Sequence, residues 1–269
     1  MKKSERVSIL GYGRVGLALA KTLQQRGFSV SGTVTTSEKC EQLKAEGLMT
    51  SVLSFTPEPD GDLASVLNAD ILVVTVPPSR KSGVDFSAIM TNIAQAAAEN
   101  PIQKVLLMST TAVYPQMCGE VREEDARHDT PPFLGISWLS IEELFTGRTG
   151  FETTVVRFSG LMGGSINLGA YFSGREIRGA TSPVNYIHID DCVEIIAQII
   201  GQEVWGEIFN ASADVHPSKQ DFYTKACMNA DMPVPVFSQE KSPFRIVNSD
   251  KLKQSLDYTF QYPDPLTAL

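Results

Sequence analysis

Gly11-Tyr12-Gly13-Arg14-Val15-Gly16 spaces three glycines at the first, third and sixth places of a six-residue string. The first glycine permits a tight turn, the second lets backbone approach an oxyanion, and the third lets a helix pack closely on a strand. Amide hydrogens that open such a helix face the anion, and the aligned peptide dipoles favour negative charge there. The string follows an apolar strand-like run and opens a helix-period segment, so all six residues are candidates to cradle the pyrophosphate of a dinucleotide. A turn without a ligand is the plain alternative. About 20 residues on, a carboxylate would bind the ribose hydroxyls of NAD. Here the chain reads Thr33-Val34-Thr35-Thr36-Ser37-Glu38-Lys39. Thr35, Thr36 and Ser37 put small hydroxyls in that place, nothing there repels a 2′-phosphate, and Arg14 is a candidate partner for it. NADP is favoured over NAD, Glu38 keeps NAD open, and Arg14 reads equally well as a solvated cation at a helix start.

Other reactive residue types give weaker patterns. Cys40, Cys118, Cys192 and Cys227 lie far apart, with no CxxC and no histidine at ligand spacing. No metal site and no disulfide framework are expected, and the thiols read as reduced. Glu124, Asp125 and His128 offer titratable groups on one loop, where solvation is the simpler reading. Arg80, Arg175 and Arg178 are candidates for anionic groups of a substrate, since guanidinium forks match phosphate and carboxylate, with solvated surface cations as the simpler alternative.

The elements that must position these residues alternate short apolar runs with helix-period segments. Strands are expected over 7–10, 29–34, 50–55, 70–76, 105–109 and 155–158. Helices are expected from Val15 to Gly27 and over 37–46, 86–99 and 137–146. This is the pattern of an α/β chain, a Rossmann-type doubly wound parallel sheet with a small C-terminal substrate lobe. Residues 1–160 with 184–211 would form the dinucleotide-binding domain, the strand and helix of 184–211 returning to the main sheet. Residues 161–183 with 212–269 would form the lobe.

The 269 residues carry 31 acids against 23 bases, a formal net charge of −8, and 42% are apolar. Duplex nucleic acid and anionic membranes need a basic surface and are excluded as main partners. No apolar run approaches the roughly 20 residues that span a bilayer, and the apolar stretch after Lys2-Lys3 is too short for a signal peptide. A cytoplasmic protein with a small-molecule substrate is expected.

Three further segments carry a family likeness. They are Ser109-Thr110-Thr111-Ala112-Val113-Tyr114-Pro115, Arg157-Phe158-Ser159-Gly160-Leu161-Met162-Gly163-Gly164, and Asn185-Tyr186-Ile187-His188-Ile189-Asp190-Asp191. In this order, and with Gly206-Glu207-Ile208-Phe209-Asn210, they resemble the extended and atypical short-chain dehydrogenase/reductases, the group of nucleoside-diphosphate-sugar epimerases and dehydratases. The resemblance implies a nucleotide sugar as substrate class. It makes Thr110 the catalytic hydroxyl on the reacting oxygen, with a loop-capping hydroxyl as the alternative. Ser109 would lie beside the nicotinamide, Ser159 and Gly160 would flank its ring, and Val76, Pro77 and Pro78 would contact the adenosine and ribose. His188 beside Asp190-Asp191 has the residue types of a metal or catalytic cluster, but the resemblance makes it a structural strand-to-helix junction. The family's Tyr-x-x-x-Lys pair, which lowers a phenol pKa from ~10 toward neutrality, falls here on Leu134 and Trp138. Ordinary hydride transfer then lacks its base, a loss of ~10²–10⁴ in rate. A non-catalytic dinucleotide-binding regulator or redox sensor is the alternative.

Overall fold

The computed structural model describes residues 5–78 and 84–269. Among them, seven strands form one parallel sheet: β1 (Arg6–Leu10), β2 (Ser29–Val34), β3 (Met49–Val52), β4 (Ile71–Val74), β5 (Lys104–Thr110), β6 (Glu152–Phe158) and β7 (Ile208–Ala211). Their spatial order is β7-β6-β5-β4-β1-β2-β3. The order reverses at β1, whose Val7 sits opposite Val30 of β2 on one side and Ile71 of β4 on the other. Ligand crevices in such sheets open outside the carboxyl ends of the strands at that reversal. All four residues of β4 are buried, which is why this strand reads as a continuous apolar run without alternation.

The longer helices are α1 (Arg14–Gln25), α2 (Ser37–Ala45), α3 (Phe86–Ala98), α4 (Trp138–Thr146), α5 (Ile189–Gln202) and α6 (Lys219–Asn229), with shorter helices between and after them. Helix α1 buries Val15, Leu19 and Leu23 at four-residue spacing, one stripe of a 3.6-residue period. Helix α3 buries Phe86, Ile89, Met90, Ile93, Ala94 and Ala97. Each buried large side chain on that face contributes about 1.5–3 kcal/mol. Asp85 starts α3 by accepting from Ala88 N at 3.1 Å, and Thr36 caps α2 in the same way, satisfying amides that would otherwise be orphaned.

The chain divides into two compact units. The first holds the residues up to Ser109, Pro132–Val156 and Ile196–Ile208, and the second Thr110–Pro131, Arg157–Ile195 and Phe209–Leu269. In the first, Leu72, Val74, Val105, Leu107 and Val155 of the sheet pack with Ile93, Ile141 and Phe145 of the helices. In the second, Tyr186, Phe222 and Tyr223 form an aromatic core with Met162 and Leu168. Asp191, fully buried, accepts from Tyr258 Oη at 2.6 Å, Gln261 N at 2.7 Å and Tyr262 N at 3.1 Å. It clips the segment 258–262 in place, a role beyond the favourable end of a helix dipole.

Two expectations need correction. The third strand stops at Val52, and Ser54–Phe55 pairs antiparallel with Pro59–Asp60 in a separate hairpin. Apolar residues on both sides of Leu53 made the two pieces read as one run. Strand Tyr186–His188 does not join the main sheet but pairs with Gly160–Met162. The return to the main sheet is made by β7. No helix among the described residues is long and apolar enough to cross a membrane.

Candidate functional site

The glycine turn is held by side chains from two neighbouring strands. Gly11 N donates to Thr33 Oγ1 at 3.0 Å and Tyr12 N to Thr33 O at 2.6 Å. Thr75 Oγ1 lies 2.8 Å from Leu10 O and 2.7 Å from Gly11 O, each within donating distance. The first two amides of the turn are thus spent on β2. The amides of Arg14, Val15 and Gly16 open α1, and Gly13 supplies no side-chain cap. Gly11 has a φ of +105°, and a Cβ on Gly16 would stand 2.1 Å from Gly11 O, so turn and helix can close only on glycine. A Cβ on Gly13 would meet nothing within 4 Å. That open space beside free amides is what a pyrophosphate requires.

A cavity of about 740 Å³ opens beside the turn. Gly11, Tyr12, Gly13, Thr35, Thr36, Val76 and Pro77 all line it, so the glycine turn and the ends of β2 and β4 are brought together. The remaining wall comes from Thr33, Val34, Lys39, Leu53, Ser54, Phe55, Thr56, Val84 and Ile89. Among the described residues, no aspartate or glutamate lines it. Lys39 is half-buried, and its Nζ donates to Gln42 Oε1 at 3.1 Å. Tyr12 is buried against Gly32, where a Cβ would overlap its ring, and burial pushes its phenol well above the usual range. It is a wall, not an acid.

Arg14, Val15, Gly16, Ser37, Pro78 and Ser109 belong to the same unit but do not line the cavity. Val15 and Gly16 are buried under the turn, while Arg14 and Ser37 face solvent. Ser109 Oγ donates to Glu142 Oε1 at 2.5 Å, both residues being buried. Thr110, Ser159 and Gly160 belong to the second unit. Thr110 Oγ1 accepts from Ala112 N at 3.2 Å, capping the turn Thr111–Val113, and Ser159 Oγ is buried without a partner among the described residues.

Leu134 and Trp138 do not share a helix face. Helix α4 begins at Trp138, and Leu134-Gly135 form a two-residue turn with φ of +57° and +75°. Phe133 and Ile136 close that turn with reciprocal hydrogen bonds of 3.2 and 3.1 Å, the type I′ geometry. Trp138 packs on Phe86 with ring centroids 5.6 Å apart.

In the second unit Tyr114 and Arg157 make a phenol–guanidinium hydrogen bond of the kind that could activate a tyrosine. Arg157 Nη1 donates to Tyr114 Oη at 2.7 Å, and that hydroxyl donates to Asn210 Oδ1 at 2.6 Å. Both residues are 1% exposed, and burial pushes the Tyr114 phenol well up despite the guanidinium. The pair is structural.

Among the loop acids, Asp125 accepts from Arg122 N at 2.8 Å. The unforeseen Glu123 accepts from Asn210 N at 2.7 Å. Arg175 lies over the Tyr171 ring and Arg178 approaches Glu240 at 3.7 Å. Arg80 lies outside the described residues. Among those described, no group of histidine, cysteine and carboxylate side chains has the geometry of a metal site.

Residues 11–186 match the NAD(P)H-binding family. The chain belongs to that family. The matched residues take in the glycine turn and the segments Ser109–Pro115 and Arg157–Gly164. Protein YeeZ of Escherichia coli K12 is 27% identical over 269 residues, covering 97% of this chain and 98% of YeeZ. A short-chain dehydrogenase/reductase superfamily protein from Agrobacterium tumefaciens, with bound NAD, shares the fold at a TM-score of 0.75 and 17% identity, over 97% of this chain and 94% of that one. UDP-glucuronic acid 4-epimerase from Bacillus cereus, in complex with NAD, does so at 0.74 and 17%, over 98% and 96%.

Proposed function

We propose that this member of the NAD(P)H-binding family holds NADP(H) in preference to NAD(H), and that it does not use a tyrosine-dependent hydride transfer. The observation that carries the cofactor choice is the cavity wall at the end of β2, which offers Thr35, Thr36 and the ammonium of Lys39 and no carboxylate. A 2′-phosphate there meets a cation and no repulsion. One charge-assisted hydrogen bond contributes about 1.5–3 kcal/mol, and about 1.4 kcal/mol is ten-fold in affinity. Lys39 alone therefore supports a preference of roughly ten- to hundred-fold.

Reaction type is read from Leu134 and Trp138. An exposed leucine in a turn and a tryptophan packed on Phe86 supply neither phenol nor ammonium. This favours a dinucleotide-binding regulator, or turnover by another base, over ordinary epimerase chemistry. Thr110, Ser159 and Gly160 remain the proposed contacts at the nicotinamide end. A small molecule is the proposed second partner, and the nucleotide sugar named for the Bacillus cereus epimerase gives its class. Four unpaired cysteines accord with a cytoplasmic setting.

Fluorescence titration tests the cofactor reading. NADPH is expected to bind about ten-fold or more tighter than NADH, and Lys39→Ala to remove most of that ratio while sparing NADH. Equal binding of the two by the parent chain would overturn it.

A further inference from the structure

The second unit contains a cavity of its own, about 480 Å³, beside the turn Gly163-Gly164-Ser165 and the end of α6. His188, at the end of strand Tyr186–His188, stands in its wall. Its Nδ1 accepts from Asp190 N at 3.2 Å, and the Asp190 carboxylate lies 3.4 Å from the same nitrogen. The ring rests on Tyr262 with centroids 3.9 Å apart. With Nδ1 accepting, the uncharged ring carries its proton on Nε2. No acceptor among the described residues takes that proton. Gly163 is the reason the imidazole reaches the cavity, since a Cβ there would stand 2.0 Å from Nε2.

The lining fixes the charge of what fits. Among the described residues, no lysine, arginine, aspartate or glutamate side chain contributes to it. The Asp190 carboxylate lies behind the imidazole, which makes the site unfavourable for an anion. Met162, Leu168 and Ala226 give apolar surface, and Ser165 and Asn229 polar groups, with polar atoms making up slightly more of the lining than apolar ones. A mixed lining of this kind suits a ligand that carries both hydroxyl groups and C–H faces.

We propose that the second unit binds an uncharged hydroxyl- or carbonyl-bearing molecule of about monosaccharide size, hydrogen-bonded to Nε2 of His188. The apolar surface takes the C–H face of such a ring and the imidazole takes an oxygen on its edge. A phosphate or nucleoside diphosphate finds no cation among the described lining residues and is disfavoured in this cavity. Only second-unit residues enter, so failure here leaves the NADP(H) reading standing.

The test is a titration of the full chain, labelled with ¹³C and ¹⁵N in its histidines and followed by NMR. The sequence has three histidines, and His188→Gln identifies the signals of interest. Methyl β-D-glucopyranoside or N-acetylglucosamine at millimolar concentration is expected to shift the His188 resonances saturably. Inorganic phosphate and UDP at the same concentration are expected to leave them in place. Gly163→Ala is expected to weaken the response ten-fold or more. Should that variant not fold, His188→Gln serves in its place, with loss of the neutral probe's calorimetric heat as the readout. A shift caused by phosphate or UDP, or none with either neutral probe, overturns the proposal.

Discussion

Gly13 and Gly16 look alike in the sequence and do different work in the structure. A side chain at Gly13 enters open space on an ordinary backbone of φ −77°, so Gly13→Asp leaves the fold intact and puts a carboxylate where the pyrophosphate sits. Two like charges about 4 Å apart at a protein surface repel by up to ~4 kcal/mol before screening. NADPH affinity is expected to fall by one to two orders of magnitude, with an unchanged melting temperature, as read by calorimetry and thermal unfolding. Gly16→Ala instead drives a Cβ into Gly11 O. That overpacking should cost about 1–3 kcal/mol, seen as a lower urea midpoint together with lost binding. The string alone announced both glycines. It did not announce Lys39, whose place on the cavity wall follows from the cap that Thr36 provides to α2, nor Phe55, hidden inside what read as a longer strand.

At the level of elements, the first half of the chain was readable because its strands are buried apolar runs bounded by glycine, proline and helix caps. The stretch before α4 was not. Leu134 lies in a turn whose two central residues both need positive φ, a demand that leucine does not advertise, although the helix that follows was expected within one residue of where it starts. Leu134→Asn creates the Asn-Gly pair that such turns prefer and relieves a left-handed leucine, which costs about 1–2 kcal/mol. Urea unfolding is expected to show a gain of about 0.5–1 kcal/mol, and a loss would contradict the turn. The segment 212–216 carries a pH effect. Burial holds His216 below its ordinary value, although a backbone contact with Val184 and the carboxylates of Asp214 and Glu120 pull it upward. The unfolded chain, with an ordinary value near ~6.5, binds the proton first, so this stability is complete above that value and is lost as pH falls toward the folded one. Urea midpoints at pH 7.5 and 5.5 are expected to differ less in His216→Gln than in the parent chain.

For the whole molecule, the net charge and apolar content were read directly, and the reversal of strand order at β1 followed from the alternation of strands and helices. Strand partners in the second half were not legible, because three-residue strands such as Tyr186–His188 carry too little pattern to name a partner. The central claim is the binding of a phosphorylated dinucleotide beside the glycine turn, and calorimetry of the full chain with NADPH and NADH tests it most directly. Saturable heat from NADPH, a weaker signal from NADH, and loss of both in Gly13→Asp are predicted. No heat from either nucleotide, or a Gly13→Asp chain that binds as well as its parent, would contradict the account.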